Sequence, residues 1–141
     1  MLINRRRILI EWGDCDPAGI VFYPRYFEWF DACSAALFEA AGFLRGGDLV
    51  SRQGIAIPMV DTRSRFLIPS RFGEELTVET TITRFGRSSF DILHRVLKGT
   101  DLAVECWETR VWIRVEPTGP ERLKSQPIPE AVIRALSQDA G

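Results

Sequence analysis

Apolar and polar residues alternate along this chain in two different ways, a helical spacing in the first third and a period of two after it. From Pro24 to Ala41 the apolar positions Tyr26, Phe27, Phe30, Cys33, Leu37, Phe38, Ala40 and Ala41 recur at steps of three and four. That spacing predicts one helix, roughly 27 Å long at 1.5 Å per residue. Trp29, Ala32, Ala35 and Ala36 spread apolar character onto other faces, so this helix should be wrapped by other elements. Pro24 suits a first turn, where its missing N–H has no partner to lose, and Gly42 stands where a C-terminal cap belongs.

Alternation predicts strands at 5–12, 55–68, 74–85, 88–98 and 102–116. Leu76, Val78, Thr80 and Ile82 share one face, as do Phe90, Ile92, His94 and Val96, and then Ala103, Trp107, Val111, Ile113 and Val115. Gly99-Thr100-Asp101 supplies a turn, while Gly46-Gly47-Asp48 and Gln53-Gly54 mark an irregular crossing. The proline-rich stretch from Pro117 to Pro129 reads as loop, and Glu130 to Leu136 as a short closing helix. Long strands with no helix between them pair antiparallel. The expected architecture is α+β: a five-stranded antiparallel sheet around one long helix, in a single domain over residues 1–141.

Composition narrows the function classes. The 141 residues are 45% hydrophobic and 26% charged, with a formal net charge of -1. A nucleic-acid binder would present a strongly basic face, so no nucleic-acid partner is expected. Arg5-Arg6-Arg7 is the one dense basic cluster, and at the start of an edge strand it reads as a solvated face. The apolar run after it, Ile8-Leu9-Ile10, stops at Glu11, too short for a signal peptide, and no run reaches the roughly 18 residues of a membrane span. A cytoplasmic location without membrane association is the expectation. Cys15, Cys33 and Cys106 lack C-x-x-C spacing, so neither a disulfide framework nor a metal site is indicated.

The chemistry concentrates in WGDCDPAGIVFYPRYFEWFDA, residues 12–32, where two carboxylates sit in a proline- and glycine-bearing loop that runs into the helix. Unpaired N–H groups at a helix start can hold an oxyanion while a loop carboxylate attacks or deprotonates. Asp16 is the candidate, although Asp before Pro is also an ordinary turn former. Asp14 reads as a structural residue bonding backbone N–H groups of its own loop, since two close carboxylates repel. Cys15 is a rival nucleophile disfavoured by the aspartates on either side of it. His94 reads as a satisfied core or interface histidine, and no G-x-S-x-G element exists for a serine triad.

The segment GDCDPAGIVFYPRYFEWFDA resembles the signature of the hotdog-fold acyl-CoA thioesterases, within them the 4-hydroxybenzoyl-CoA thioesterase branch. The resemblance implies a sheet wrapped around a central helix, the same architecture that the pattern predicts. It implies hydrolysis of an acyl-CoA, with Asp16 catalytic and the backbone N–H of Tyr23 polarising the thioester carbonyl. A sister branch carries histidine at the position of Tyr23, followed by A-N-Y, whereas Tyr23-Pro24-Arg25-Tyr26 favours the aryl branch. Phe27 departs from the histidine often found there. Phe22, Tyr26, Trp29 and Phe30 around the helix start either line an apolar acyl pocket or pack as core. Asp31 corresponds to an aspartate of the aryl branch and would accept a phenolic hydroxyl or form an intersubunit salt bridge. Arg84, Arg87 and Ser88 match the branch's basic turn and would either meet the CoA phosphates or simply face solvent. CoA belongs to the substrate, so no cofactor is expected. The family implies a homodimer with sites across its interface, often doubled to a homotetramer.

Without a histidine partner, Asp16 could act as nucleophile through a mixed anhydride or as base for water. A short-chain aliphatic acyl-CoA thioesterase and a noncatalytic acyl-CoA binding module remain as alternatives, as does a hydratase using His94. A carboxylate aimed at the thioester separates the first from a pure binder.

Overall fold

Strand β1 (Ile3–Leu9) opens the chain at the edge of a five-stranded antiparallel sheet in this computed structural model, which describes residues 1–43, 46–115 and 123–139. The sheet order is β1, β4 (Glu75–Phe85), β5 (Ser89–Lys98), β6 (Asp101–Val111) and β3 (Met59–Phe66). A small second sheet joins β2 (Ile55–Ala56), β7 (Ile113–Val115) and β8 (Leu123–Ser125). Helix α1 (Pro24–Ala40) runs along the sheet, α2 (Gly46–Gln53) follows it, and α3 (Glu130–Ser137) closes the chain.

Helix α1 begins at Pro24 and ends in a Schellman motif. The Phe43 N–H bonds to the Phe38 carbonyl at 3.0 Å and the Gly42 N–H to the Glu39 carbonyl at 3.0 Å. Gly42 takes φ +96°, a backbone state open to glycine at little cost, and the Phe38 and Phe43 rings meet at 6.1 Å to seal the end. Tyr26, Phe30, Cys33 and Leu37 are buried against the sheet. The rest of the expected apolar surface is only half-covered: Phe27, Trp29, Ala32, Ala35 and Ala36 are of intermediate exposure, so within one chain the sheet wraps one side of the helix.

The strand pattern holds on β4 and β5. Leu76, Val78, Thr80 and Ile82 are buried together, as are Phe90, Ile92, His94 and Val96. It fails on β6. The residues turned to the helix are Val104, Cys106, Glu108 and Arg110, while Trp107 and Val111 lie on the other face, half-covered. Two causes combine. The pairing shifts register between Val96 and Leu97, whose partners are Val104 and Leu102, so parity changes at Ala103. The inward face then carries a charged pair that a hydrophobicity pattern assigns to solvent.

Other expected boundaries move for local reasons. Pro58, without an N–H for the ladder, divides the run 55–68 into β2 and β3. Trp112 divides 102–116 into β6 and β7, its N–H bonding to the Ser88 carbonyl at 2.7 Å. The glycine-marked crossing from Gly46 to Gln53 is a helix, whose Leu49 is 3% exposed and anchors it to the body. Leu123–Ser125 forms β8 within the stretch from Pro117 to Pro129 that reads as loop; residues 117–122 of that stretch, and residue 116 at the end of the strand expected at 102–116, lie outside the described residues. On β1, Arg5 and Arg7 are exposed and pair with Glu79 and Glu75 of β4.

Candidate active site

The loop between β1 and α1 is a tight turn built on the Asp16-Pro17-Ala18-Gly19 sequence. Cys15 and Val21 form an isolated antiparallel bridge, the Asp16 N–H bonds to the Ile20 carbonyl at 3.0 Å, and the Gly19 N–H to the Asp16 carbonyl at 2.9 Å. Gly19 has φ +80°, which an L side chain rarely adopts, and this accounts for glycine here. The Asp16 side chain turns onto its own loop, Oδ1 accepting from the Ala18 N–H at 2.8 Å. Among the described residues nothing bonds to Oδ2. Asp16 borders a recess of about 260 Å³ with Trp12, Cys15, Pro17, Gly19 and Phe72.

Asp14 holds the loop in place. Its carboxylate accepts the Glu11 N–H at 2.9 Å and lies 3.7 Å from Arg25 Nε, while its carbonyl accepts the Phe22 N–H at 2.8 Å. A further bond, Val21 N–H to the Ser70 carbonyl at 2.9 Å, ties the loop to the segment between β3 and β4.

Tyr23 caps the start of α1, its carbonyl accepting the Tyr26 N–H at 3.1 Å. The N–H of Tyr23 has no acceptor among the described residues, and Pro24 has no N–H to offer. One donor is therefore left pointing out of the helix end, where the macrodipole favours negative charge. Tyr23 borders a second recess, about 210 Å³, whose walls include Val21, Tyr26, Phe66 and Ser70. Within one chain, then, Asp16 and Tyr23 face two recesses on either side of the same turn.

The remaining expected residues are more scattered. Phe22 is exposed and its ring meets that of Tyr23 at 5.7 Å. Tyr26 is at once core and recess wall, packed on Trp29, Phe30 and Phe66, and burial pushes its phenol pKa up. Asp31 carries an exposed carboxylate whose Oδ1 lies 3.0 Å from Arg110 Nη2 of the same chain. Arg84 is engaged by Asp91 at 2.9 Å, while Arg87 is exposed with no ion pair among the described residues. The Ser88 and Arg87 carbonyls serve the fold, accepting the Trp112 and Ile128 N–H groups.

Arg84, Arg87 and Ser88 do not meet Asp16 within one chain. The Asp16 loop packs at the Glu75 end of β4, through Ile10 N–H to the Glu74 carbonyl and the Trp12–Phe72 ring contact. The basic turn follows Phe85 at the opposite end, roughly 34 Å away along an eleven-residue strand.

Cys33 and Cys106 are buried and offer no better nucleophile. Burial pushes the Cys33 thiol up to about 11 and raises that of Cys106. His94 is fully buried, bonded through Nδ1 to Thr80 Oγ1 at 2.8 Å and through Nε2 to Glu108 Oε1 at 3.0 Å. Glu108, Arg110, Ser34, Trp12 and Phe72 also border these sites or the polar cluster behind α1, and the sequence pattern does not single them out. Only the polar pair breaking the β6 alternation could have flagged the first two.

A half-wrapped helix on a five-stranded antiparallel sheet is the hotdog arrangement. The chain belongs to the Thioesterase-like superfamily, whose family model matches residues 10–136. It is 34% identical over 134 residues to the 4-hydroxybenzoyl-CoA thioesterase of Pseudomonas sp. (strain CBS-3), covering 91% of this chain and 93% of that protein. It is 28% identical over 134 residues to a 1,4-dihydroxy-2-naphthoyl-CoA hydrolase of Synechococcus sp. (strain WH7803), covering 90% and 84%. Among solved structures, a 4-hydroxybenzoyl CoA thioesterase mutant complexed with 4-hydroxybenzoyl CoA superposes with a TM-score of 0.87 at 33% identity, covering 96% of this chain and 99% of that one.

Proposed function

We propose that this protein hydrolyses an aromatic acyl-CoA thioester, such as 4-hydroxybenzoyl-CoA, to the free acid and CoA. The observation that carries this reading is that the segment between β1 and α1 leaves two groups open, Asp16 Oδ2 and the Tyr23 N–H, each at the edge of its own recess. Asp16 attacks the thioester carbonyl, forming a mixed anhydride and expelling the CoA thiolate, and water then releases the acid. The Tyr23 N–H receives the developing oxyanion, an interaction typically worth on the order of 3 kcal/mol of barrier. Relatives named for hydroxybenzoyl and dihydroxynaphthoyl thioesters support an aryl substrate.

Asp31 is the acceptor for a phenolic hydroxyl. It lies eight residues beyond Tyr23, roughly 12 Å along the helix, a span suited to a para-hydroxy aryl group hydrogen-bonded at both ends. Phe22 and Tyr26 flank the ring, and Arg84, Arg87 and Ser88 meet the CoA phosphates. Because that turn lies at the far end of β4 from Asp16, one site draws on two copies of the chain. The separate recesses of Asp16 and Tyr23 and the uncovered side of α1 suit the same arrangement. A homodimer is the working unit, able to pair into a homotetramer.

The test is thiol release, followed with a thiol-reactive dye, from benzoyl, 4-hydroxybenzoyl and aliphatic CoA thioesters. Fastest cleavage of the aryl substrates upholds the reading. Turnover of aliphatic substrates alone removes the aryl assignment, and saturable binding with no turnover leaves a binding module.

A further inference from the structure

Behind Asp31 lies a chain of polar groups that neither the loop chemistry nor the family match explains. The Arg110 guanidinium is 7% exposed and held at three points: Nε on Glu108 Oε2 at 2.8 Å, Nη1 on the Ile57 carbonyl at 2.9 Å, and Nη2 on Asp31 Oδ1 at 3.0 Å. Glu108 is fixed in turn. It also accepts from Ser34 Oγ at 3.2 Å and faces His94 Nε2 at 3.0 Å, and His94 is braced from behind by Thr80.

Burying an arginine and a glutamate as a pair brings little net stability, because desolvation offsets their attraction. What the pair delivers is a planar cation that cannot rotate, with one edge presented at the surface of α1. Asp31, by contrast, has a side chain 76% exposed, and an exposed carboxylate held by a mobile partner would sample several rotamers. Here the partner is immobile, so Oδ1 is pinned and Oδ2 is left with a defined direction.

We infer that Arg110, braced by Glu108, is a positioning residue that sets Asp31 as the hydrogen-bond acceptor for the substrate's phenolic hydroxyl, and so helps select hydroxylated over unsubstituted aryl groups. This rests on the reading of Asp31 given above. A site built to receive a hydroxyl discriminates strongly against the analogue that lacks it, and loses that discrimination when the acceptor is free to swing away.

The test is a double-mutant cycle on the full-length protein, with Asp31→Asn, Arg110→Lys and the two combined, read as the ratio of kcat/KM for 4-hydroxybenzoyl-CoA over benzoyl-CoA. Lysine keeps the charge but cannot hold Glu108, Ile57 and Asp31 at once. The expected result is a ratio lowered about tenfold by Arg110→Lys, with no further change when Asp31→Asn is already present. A merely structural Arg110 would lower both substrates alike and leave the ratio in place, which overturns the proposal. It is also overturned if Arg110→Lys lowers the ratio equally with and without Asp31→Asn. If Asp31→Asn alone leaves the ratio unchanged, the Asp31 reading fails and the proposal with it. Should Arg110→Lys not fold, the paired Glu108→Gln/Arg110→Met change removes both buried charges together and is read by the same ratio.

Discussion

His94 Nε2 lies 3.0 Å from Glu108 Oε1, and both side chains are cut off from solvent, at 0% and 3% exposure. Two ionisable groups therefore meet inside the sheet–helix core, and their satisfaction is complete: Thr80 on one side of the imidazole, Ser34 and Arg110 on the other side of the carboxylate. An unpaired member of such a set would cost several kcal/mol.

Acid stability should follow from Glu108. Burial pushes its pKa up, but hydrogen bonding and charge from His94 and Arg110 outweigh burial and bring it to about 2. The folded pKa lies below the unfolded one, so the contribution is present above about pH 4.5 and is lost as pH falls towards 2. The full shift corresponds to about 3 kcal/mol. Urea unfolding from pH 6 to pH 2.5 should show the stability gap between the native chain and Glu108→Gln narrowing as the solution is acidified.

Removing the loop carboxylate should abolish turnover while sparing the fold. Asp16→Asn keeps the Oδ1 acceptor that serves Ala18. The thermal midpoint should therefore hold, and thiol release from 4-hydroxybenzoyl-CoA should fall about 100-fold or more.

The Tyr23 contribution is assigned to its backbone, which distinguishes it from the side chain. Tyr23→Phe should keep most of the rate. Tyr23 has φ -55°, close to the value proline imposes, and its N–H has no protein acceptor among the described residues. Tyr23→Pro should thus fold, yet lower kcat about 100-fold by deleting the donor.

The helix end offers a stability test remote from the chemistry. Gly42 has φ +96° and nothing within 4 Å of where a Cβ would stand. Gly42→Ala meets no clash and is strained only through its backbone, so it should cost about 1–2 kcal/mol in chemical denaturation with thiol release unchanged.

Much of this molecule follows from sequence alone. The 3.6-residue spacing of Tyr26, Phe30, Cys33 and Leu37 places α1 to within a residue, because one face of that helix has to be buried. The period of two on β4 and β5 identifies their inward residues, because each strand has one dry face. The motif around Asp16 locates the candidate chemistry, since a D-P-A-G turn before a proline-started helix has few alternative geometries.

Tertiary structure alone decided the rest. The parity of β6 depends on a register shift at Ala103 and on Glu108 and Arg110 finding partners on another strand and on α1, contacts that no local pattern encodes. The glycine-rich stretch from Gly46 is helical because Leu49 has a place to bury, which overrides the weak propensity around it. The distance between Asp16 and the basic turn at Arg87 emerges only when β4 is laid out at full length. Local composition sets which backbone states are cheap; which side chains then meet is settled by the packing of elements far apart in the chain.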